Sequence, residues 1–328
     1  MKMKSLLLVL TTLLCLLTAS GVSAQTETIE LAGTIDIDSL VSRMVWNETG
    51  DVLTLVSRDS VYRFAVAPDP EAETYTFDGK TFAFSTVSEA GKAAMLSDDR
   101  NTIYIYDLDS PEKDVRTLVP GFQVLSVCVS KDGSQVLADS ADKIRTVVYD
   151  AADGSLIHDL SGFQTAAPVY DSILSDDSTR VVWHSRGTFA VQNIADGSFG
   201  KTVSLWDFAA GYALSPDNSL LAVAMINDDY ENGAVLFFDP VSGAEKGRAI
   251  LGKTSPNELS FSDDGSVLWA SDEENVYKID PKTFETLFQA KVGEREGEKR
   301  VIRIASSHDG SFAAVLNNGG EIYLVTAK

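Results

Sequence analysis

Four ionisable residues occupy one equivalent place in this chain. Arg43, Asp171, Glu258 and Arg303 each stand seven residues ahead of the last residue of a short polar turn that recurs along the sequence. The matching positions in the other copies hold Phe84, Ser126 and Gly211. If equivalent positions converge, two guanidiniums and two carboxylates meet on one rim. Such a set can bind a small zwitterion or a carbohydrate, or take acid and base roles. The same charges can instead pair with each other and with channel water, because polar groups crowded together must be satisfied. Mutual pairing is the favoured expectation.

Other chemistry has thinner support. The three histidines, His158, His184 and His308, are expected on an outer strand, in a loop between second and third strands, and in a first turn. So dispersed, they supply no cluster for zinc or haem and no Ser-His-Asp triad. Neither a catalytic set, a metal site nor a cofactor is expected. The acidic turns, with Asp132, Asp176, Asp177, Asp217, Asp263, Asp264 and Asp309, would ring one face and attract calcium at most weakly. Hairpin preference accounts for them without an ion, and the spacing of a dedicated calcium loop is absent. A second candidate binding element is the insertion Asn227-Asp-Asp-Tyr-Glu-Asn-Gly233, where Tyr230 stands among Asp228, Asp229 and Glu231. An aromatic anchor in an acidic setting suits a basic partner; a plain solvated insertion is the favoured alternative, since longer surface loops cost little free energy.

The turn itself dictates the architecture. It reads Trp46-Asn-Glu-Thr-Gly50, Val87-Ser-Glu-Ala-Gly91, Val129-Ser-Lys-Asp-Gly133, Leu174-Ser-Asp-Asp-Ser178, Leu214-Ser-Pro-Asp-Asn218, Phe261-Ser-Asp-Asp-Gly265 and Ser306-Ser-His-Asp-Gly310. The steps between closing residues are 41, 42, 45, 40, 47 and 45, the period of a four-stranded propeller blade. Between turns, apolar residues alternate over short runs, as strands require. The sixth repeat shows four strands: Glu258-Leu-Ser-Phe261, Ser266-Val-Leu-Trp-Ala270, Val276-Tyr-Lys-Ile279 and Thr283-Phe-Glu-Thr-Leu-Phe288. The last repeat stops one strand short after Glu321-Ile-Tyr-Leu-Val325, and Thr28-Ile-Glu-Leu-Ala32 has the alternation to complete it. The expected fold is all-β: a seven-bladed β-propeller of four-stranded antiparallel blades, closed by an N-terminal strand that removes the exposed sheet edges.

Third strands end in Tyr106-Asp107, Tyr149-Asp150, Gln192-Asn193, Phe238-Asp239 and Ile279-Asp280. These endings resemble, in worn form, the Trp-Asp pair of WD40-type repeats, and the resemblance covers nearly all of residues 25–328. The chain is thus similar to exported bacterial WD40-like or YVTN-type propellers. That resemblance implies a frame on which function sits at the channel mouth or a face. The Gly-His pair of WD40 repeats is missing, so its histidine-centred network is not carried over. Trp206-Asp207 precedes the fifth inner strand and is an accidental match.

Met1-Lys-Met-Lys4, an apolar run from Leu6 to Leu17 and Val22-Ser-Ala24 form a signal peptide with cleavage expected after Ala24. The lysine-led leader looks bacterial and places residues 25–328, as one propeller domain, in the periplasm or outside the cell. Loss of Lys2 and Lys4 takes the formal charge from −21 to −23. Such acidity repels phosphate backbones and anionic lipid, so neither nucleic acid nor membrane is an expected partner. Cleavage leaves Cys128 as the sole cysteine; its apolar strand predicts a buried, inert thiol and no intramolecular disulfide. The expected function is a non-catalytic, monomeric platform that binds a protein, ligand or envelope component through one face. The alternative is a hydrolase of the lactonase kind that uses the channel mouth. A quinone-dependent dehydrogenase ranks third, because the four tryptophans occupy unrelated places.

Overall fold

The computed structural model describes residues 27–327, apart from 38–39, 67–71, 78, 111–114, 142–144, 162–170, 186, 206–208, 227–231 and 295–298. The expected signal peptide and cleavage site, the Asp228–Glu231 element and Trp206-Asp207 therefore lie outside the described residues.

Every sequence repeat forms one antiparallel sheet of four strands, and there are seven sheets. Blade 1 runs through Arg43–Trp46, Val52–Val56, Ser60–Ala65 and Ala72–Thr76. The first strands of blades 2 to 7 are Phe82–Val87, Val124–Val129, Asp171–Leu174, Gly211–Leu214, Glu258–Phe261 and Val301–Ser306. The first strand of blade 7 also meets the first strand of blade 1, which closes the ring. The N-terminal strand Glu27–Thr34 pairs antiparallel with Glu321–Ala327 and becomes the fourth strand of blade 7. Gly33 lies just past a register shift in this pairing, and a Cβ there would stand 2.4 Å from the Phe64 ring of blade 1.

The closing residue of each recurring turn adopts left-handed backbone. Gly50, Gly91, Gly133, Gly265 and Gly310 have φ of 73°, 72°, 70°, 67° and 66°, and Ser178 and Asn218 follow at 56° and 58°. That geometry is the physical reason for the Gly and Asn preference. The turn serines work identically: Ser130, Ser175, Ser215, Ser262 and Ser307 each donate to the aspartate two residues on and accept the backbone N–H five residues on. The aspartates that end third strands cap the next turn in the same manner. Asp150 accepts from the N–H of Ala152 and Asp153, and Asp239 from Val241 and Ser242.

The hydrophobic core is divided among the seven blade interfaces. Leu53, Leu55 and Tyr62 of blade 1 pack on Ala314, Leu316 and Ile322 of blade 7, and Val235 and Phe237 of blade 5 pack on Leu268, Ala270 and Tyr277 of blade 6. A blade is thus apolar on both faces, because each face meets a neighbour.

Three expectations need correction. His184 lies within the second strand of blade 4, Arg180–Ser185, opposite Asp171, because that strand extends to a tight hairpin at Gly187. The outer strand of blade 6 is Thr286–Lys291; Asp280 caps Lys282 and Thr283, and Phe284 turns the chain at φ 63°. Cys128 is only partly buried and lines the central channel, since its strand alternates between a blade interface and the axis.

Candidate functional site: the central channel

The first strands surround a cavity of about 700 Å³ on the propeller axis. Arg43, Asp171, Glu258 and Arg303 all line it, each at or near the start of a first strand. Equivalent positions in the repeats therefore do converge, and a pairing pattern follows. Arg303 donates from Nη1 to Glu258 Oε1 at 2.8 Å and to the Ile302 carbonyl at 2.6 Å. Burial pushes the Glu258 carboxyl above its ordinary pKa, and the charges of Arg303 and Arg43 hold it back only in part. Asp171 Oδ1 lies 2.9 Å from His184 Nδ1. Arg43 is exposed and has no hydrogen bond or ion pair among the described residues.

Sequence reasoning missed the rest of this wall. His184 stacks on Phe189 at 4.7 Å, and Tyr212 lies 5.3 Å from both rings. The Tyr212 hydroxyl has no partner with hydrogen-bond geometry. Its pKa is raised well above the ordinary value by burial and by the nearby Asp171 and Asp139 charges, so the phenol stays neutral. Asn257 Oδ1 and Arg303 Nε are likewise buried without a partner. Tyr212 directly follows Gly211 on the equivalent position, and adjacency to that position was the available signal. Burial also raises the pKa of the Cys128 thiol, which keeps it protonated and weakly nucleophilic.

Behind the wall, Asp139 is fully buried and accepts hydrogen bonds from Ser126, Thr146 and Ser172. Burial raises its pKa despite these three donors. Ser172 belongs to blade 4 and the other partners to blade 3, so the carboxyl ties two blades together.

At the turn end of the channel, the third residue of five of the turns, Glu89, Lys131, Asp176, Asp263 and His308, supplies the side chains. Lys131 Nζ stands 3.3 Å from Glu89, 3.4 Å from Asp176 and 2.6 Å from Asp263, carboxylates from three other blades. Burial disfavours the ammonium, yet the Asp263 hydrogen bond and the charges of Asp176 and Glu89 outweigh it and raise its pKa. His308 Nδ1 meets Asp263 Oδ2 at 2.8 Å and its Nε2 meets the Asn47 carbonyl at 2.8 Å. Glu89, Asp263 and His308 bring ligand atoms within 4.8 Å of one another. The Lys131 ammonium already sits against both carboxylates of that cluster, and both histidine nitrogens are engaged. Of the aspartates considered for calcium, Asp132, Asp177, Asp217, Asp264 and Asp309 are tied into their own turns.

No protein-family model matches the chain, and no curated protein matches it.

Proposed function

We propose that this protein is an exported, non-catalytic propeller that acts as a binding platform for a protein, ligand or envelope component, through the face that carries the channel mouth. The observation that supports this most is the state of the rim charges. Glu258 is held by Arg303 and Asp171 by His184, while Arg43 stands exposed and unpartnered among the described residues. A carboxylate fixed to a guanidinium is a poor general base, whereas an open guanidinium is a recognition group.

Affinity capture from the native envelope tests the platform. The wild-type chain should enrich a partner over a charge-matched control, and Arg43→Glu should lose it. Equal capture by control and wild type would count against a platform. N-terminal sequencing of the extracytoplasmic fraction tests export; the expected first residue is Gln25.

One observation favours the hydrolase reading. Asp171 and His184 form a carboxylate–imidazole pair on the cavity wall, the arrangement that orients a general base. Turnover of lactones that disappears in both His184→Gln and Asp171→Asn would establish that alternative.

A further inference from the structure

The channel mouth is electrically divided. Arg43 on blade 1 and Arg303 on blade 7 are neighbours in the ring, and Asp171 on blade 4 lies across the axis from them. Glu258 on blade 6 is committed to Arg303, so the positive charge left over on that side is Arg43. Arg43 and Asp171 thus face the same cavity from opposite sides.

The wall also carries unmatched polarity. Asn257 Oδ1 and Arg303 Nε are buried polar atoms without a protein partner, and both residues line the cavity together with Tyr212, whose hydroxyl lies beside Asp171. A buried polar group left unsatisfied is costly, so this wall suits polar contents. The cavity volume of about 700 Å³ falls within the range of small-molecule sites, roughly 300–1,000 Å³. The formal charge of −21 adds selection of its own. A free anion approaching Arg43 is repelled by the protein as a whole, whereas a molecule that carries its own positive charge is not. On the opposite wall, the Tyr212 and His184 rings flank Asp171, a setting that suits an ammonium group.

We propose that the channel mouth is a receptor site for a small zwitterion, whose carboxylate is received by Arg43 and whose ammonium is received by Asp171. This assignment rests on the binding-platform reading and names the ligand class for it.

The test is isothermal titration calorimetry of the secreted chain with ω-amino acids from glycine to 6-aminohexanoate, each beside its N-acetyl and its amide derivative. One chain length should bind best, because the two charged walls are a fixed distance apart. Blocking either end, or introducing Arg43→Ala or Asp171→Asn, should weaken that ligand by at least about tenfold. Arg43→Lys should recover part of the loss. An unchanged melting temperature in the Arg43 variants shows that folding is intact. Binding of the N-acetyl compound as tight as the parent, variant affinities within about twofold of wild type, or no binding across the series overturns the zwitterion assignment. In those cases envelope capture that still depends on Arg43 leaves the platform standing. Consumption of a bound amino acid would instead retain the zwitterion and refute the non-catalytic reading.

Discussion

Arg303 and Glu258, 45 residues apart on neighbouring blades, meet at 2.8 Å on the channel wall. Their side chains are 20% and 29% exposed, so water screens the pair only in part. Replacing Arg303 with Ala strands a carboxylate whose pKa is already raised by burial. A raised carboxyl pKa means that the folded state holds its proton more tightly than the unfolded state. The stability it contributes is therefore present at acid pH and lost as pH climbs through the folded value. Arg303→Ala should cost about 1–3 kcal/mol at neutral pH. The deficit should shrink as pH falls and be partly repaired by adding Glu258→Gln, as urea denaturation at two pH values will show.

Lys131 plays the corresponding part at the turn end. Lys131→Met leaves Glu89, Asp176 and Asp263 without their common cation, and the expected loss is about 1–3 kcal/mol. Burial already raises the Glu89 pKa, so protonation relieves the repulsion and the loss should diminish below neutral pH. Added salt should diminish it as well. Thermal unfolding across pH and ionic strength checks both trends.

Ser178 is a non-glycine residue at φ 56° in a position that glycine holds in five of the seven turns. Ser178→Gly should stabilise the protein by about 0.5–1 kcal/mol, since left-handed backbone is costly for a residue with a Cβ. Gly265→Ala is the converse. Its Cβ would meet Pro216 at an ordinary 3.5 Å, so the expected cost of about 1–2 kcal/mol is conformational. Denaturant midpoints at constant m-value test the pair.

Hydrogen bonds from turn residues lower the carboxyl pKa of Asp217, Asp264 and Asp309, through Ser215, Ser266 and Ser311 first. Their contribution is fully present above the unfolded carboxyl value, about 3.9, and is lost as pH falls through the lower folded values. Melting temperature should therefore drop steeply below about pH 4. An Asp217→Asn, Asp264→Asn, Asp309→Asn triple variant should be less stable at neutral pH but show a shallower acid decline.

The strand Glu27–Thr34 covers an edge of Glu321–Ala327 that would otherwise present free N–H and C=O groups. Deleting residues 27–34 should yield associated or aggregated protein by size exclusion with light scattering, because an open edge recruits strands from other chains. A monodisperse, cooperatively folding deletion variant would contradict the role of this strand as the closure.

The sequence by itself determined the count of blades, the conformation of their turns and the strand that closes the ring. These are local or periodic properties. A Gly, Asn or Ser closing a turn every 40 to 47 residues marks left-handed backbone, period-two alternation marks strands, and the unpaired pattern at Thr28–Ala32 matches the strand missing from the last repeat. It also showed that Arg43, Asp171, Glu258 and Arg303 occupy equivalent positions. Only the tertiary structure decided which of them touch. Arg303 pairs with Glu258 of the adjacent blade and not with Asp171 across the axis. His184 faces Asp171 because of the hairpin register in blade 4, and Lys131 reaches Asp263 because closure brings blade 3 within reach of blade 6. Spacing along a chain specifies the face on which a side chain emerges; its partner across the axis is set by the three-dimensional geometry of the closed ring, which no local pattern encodes.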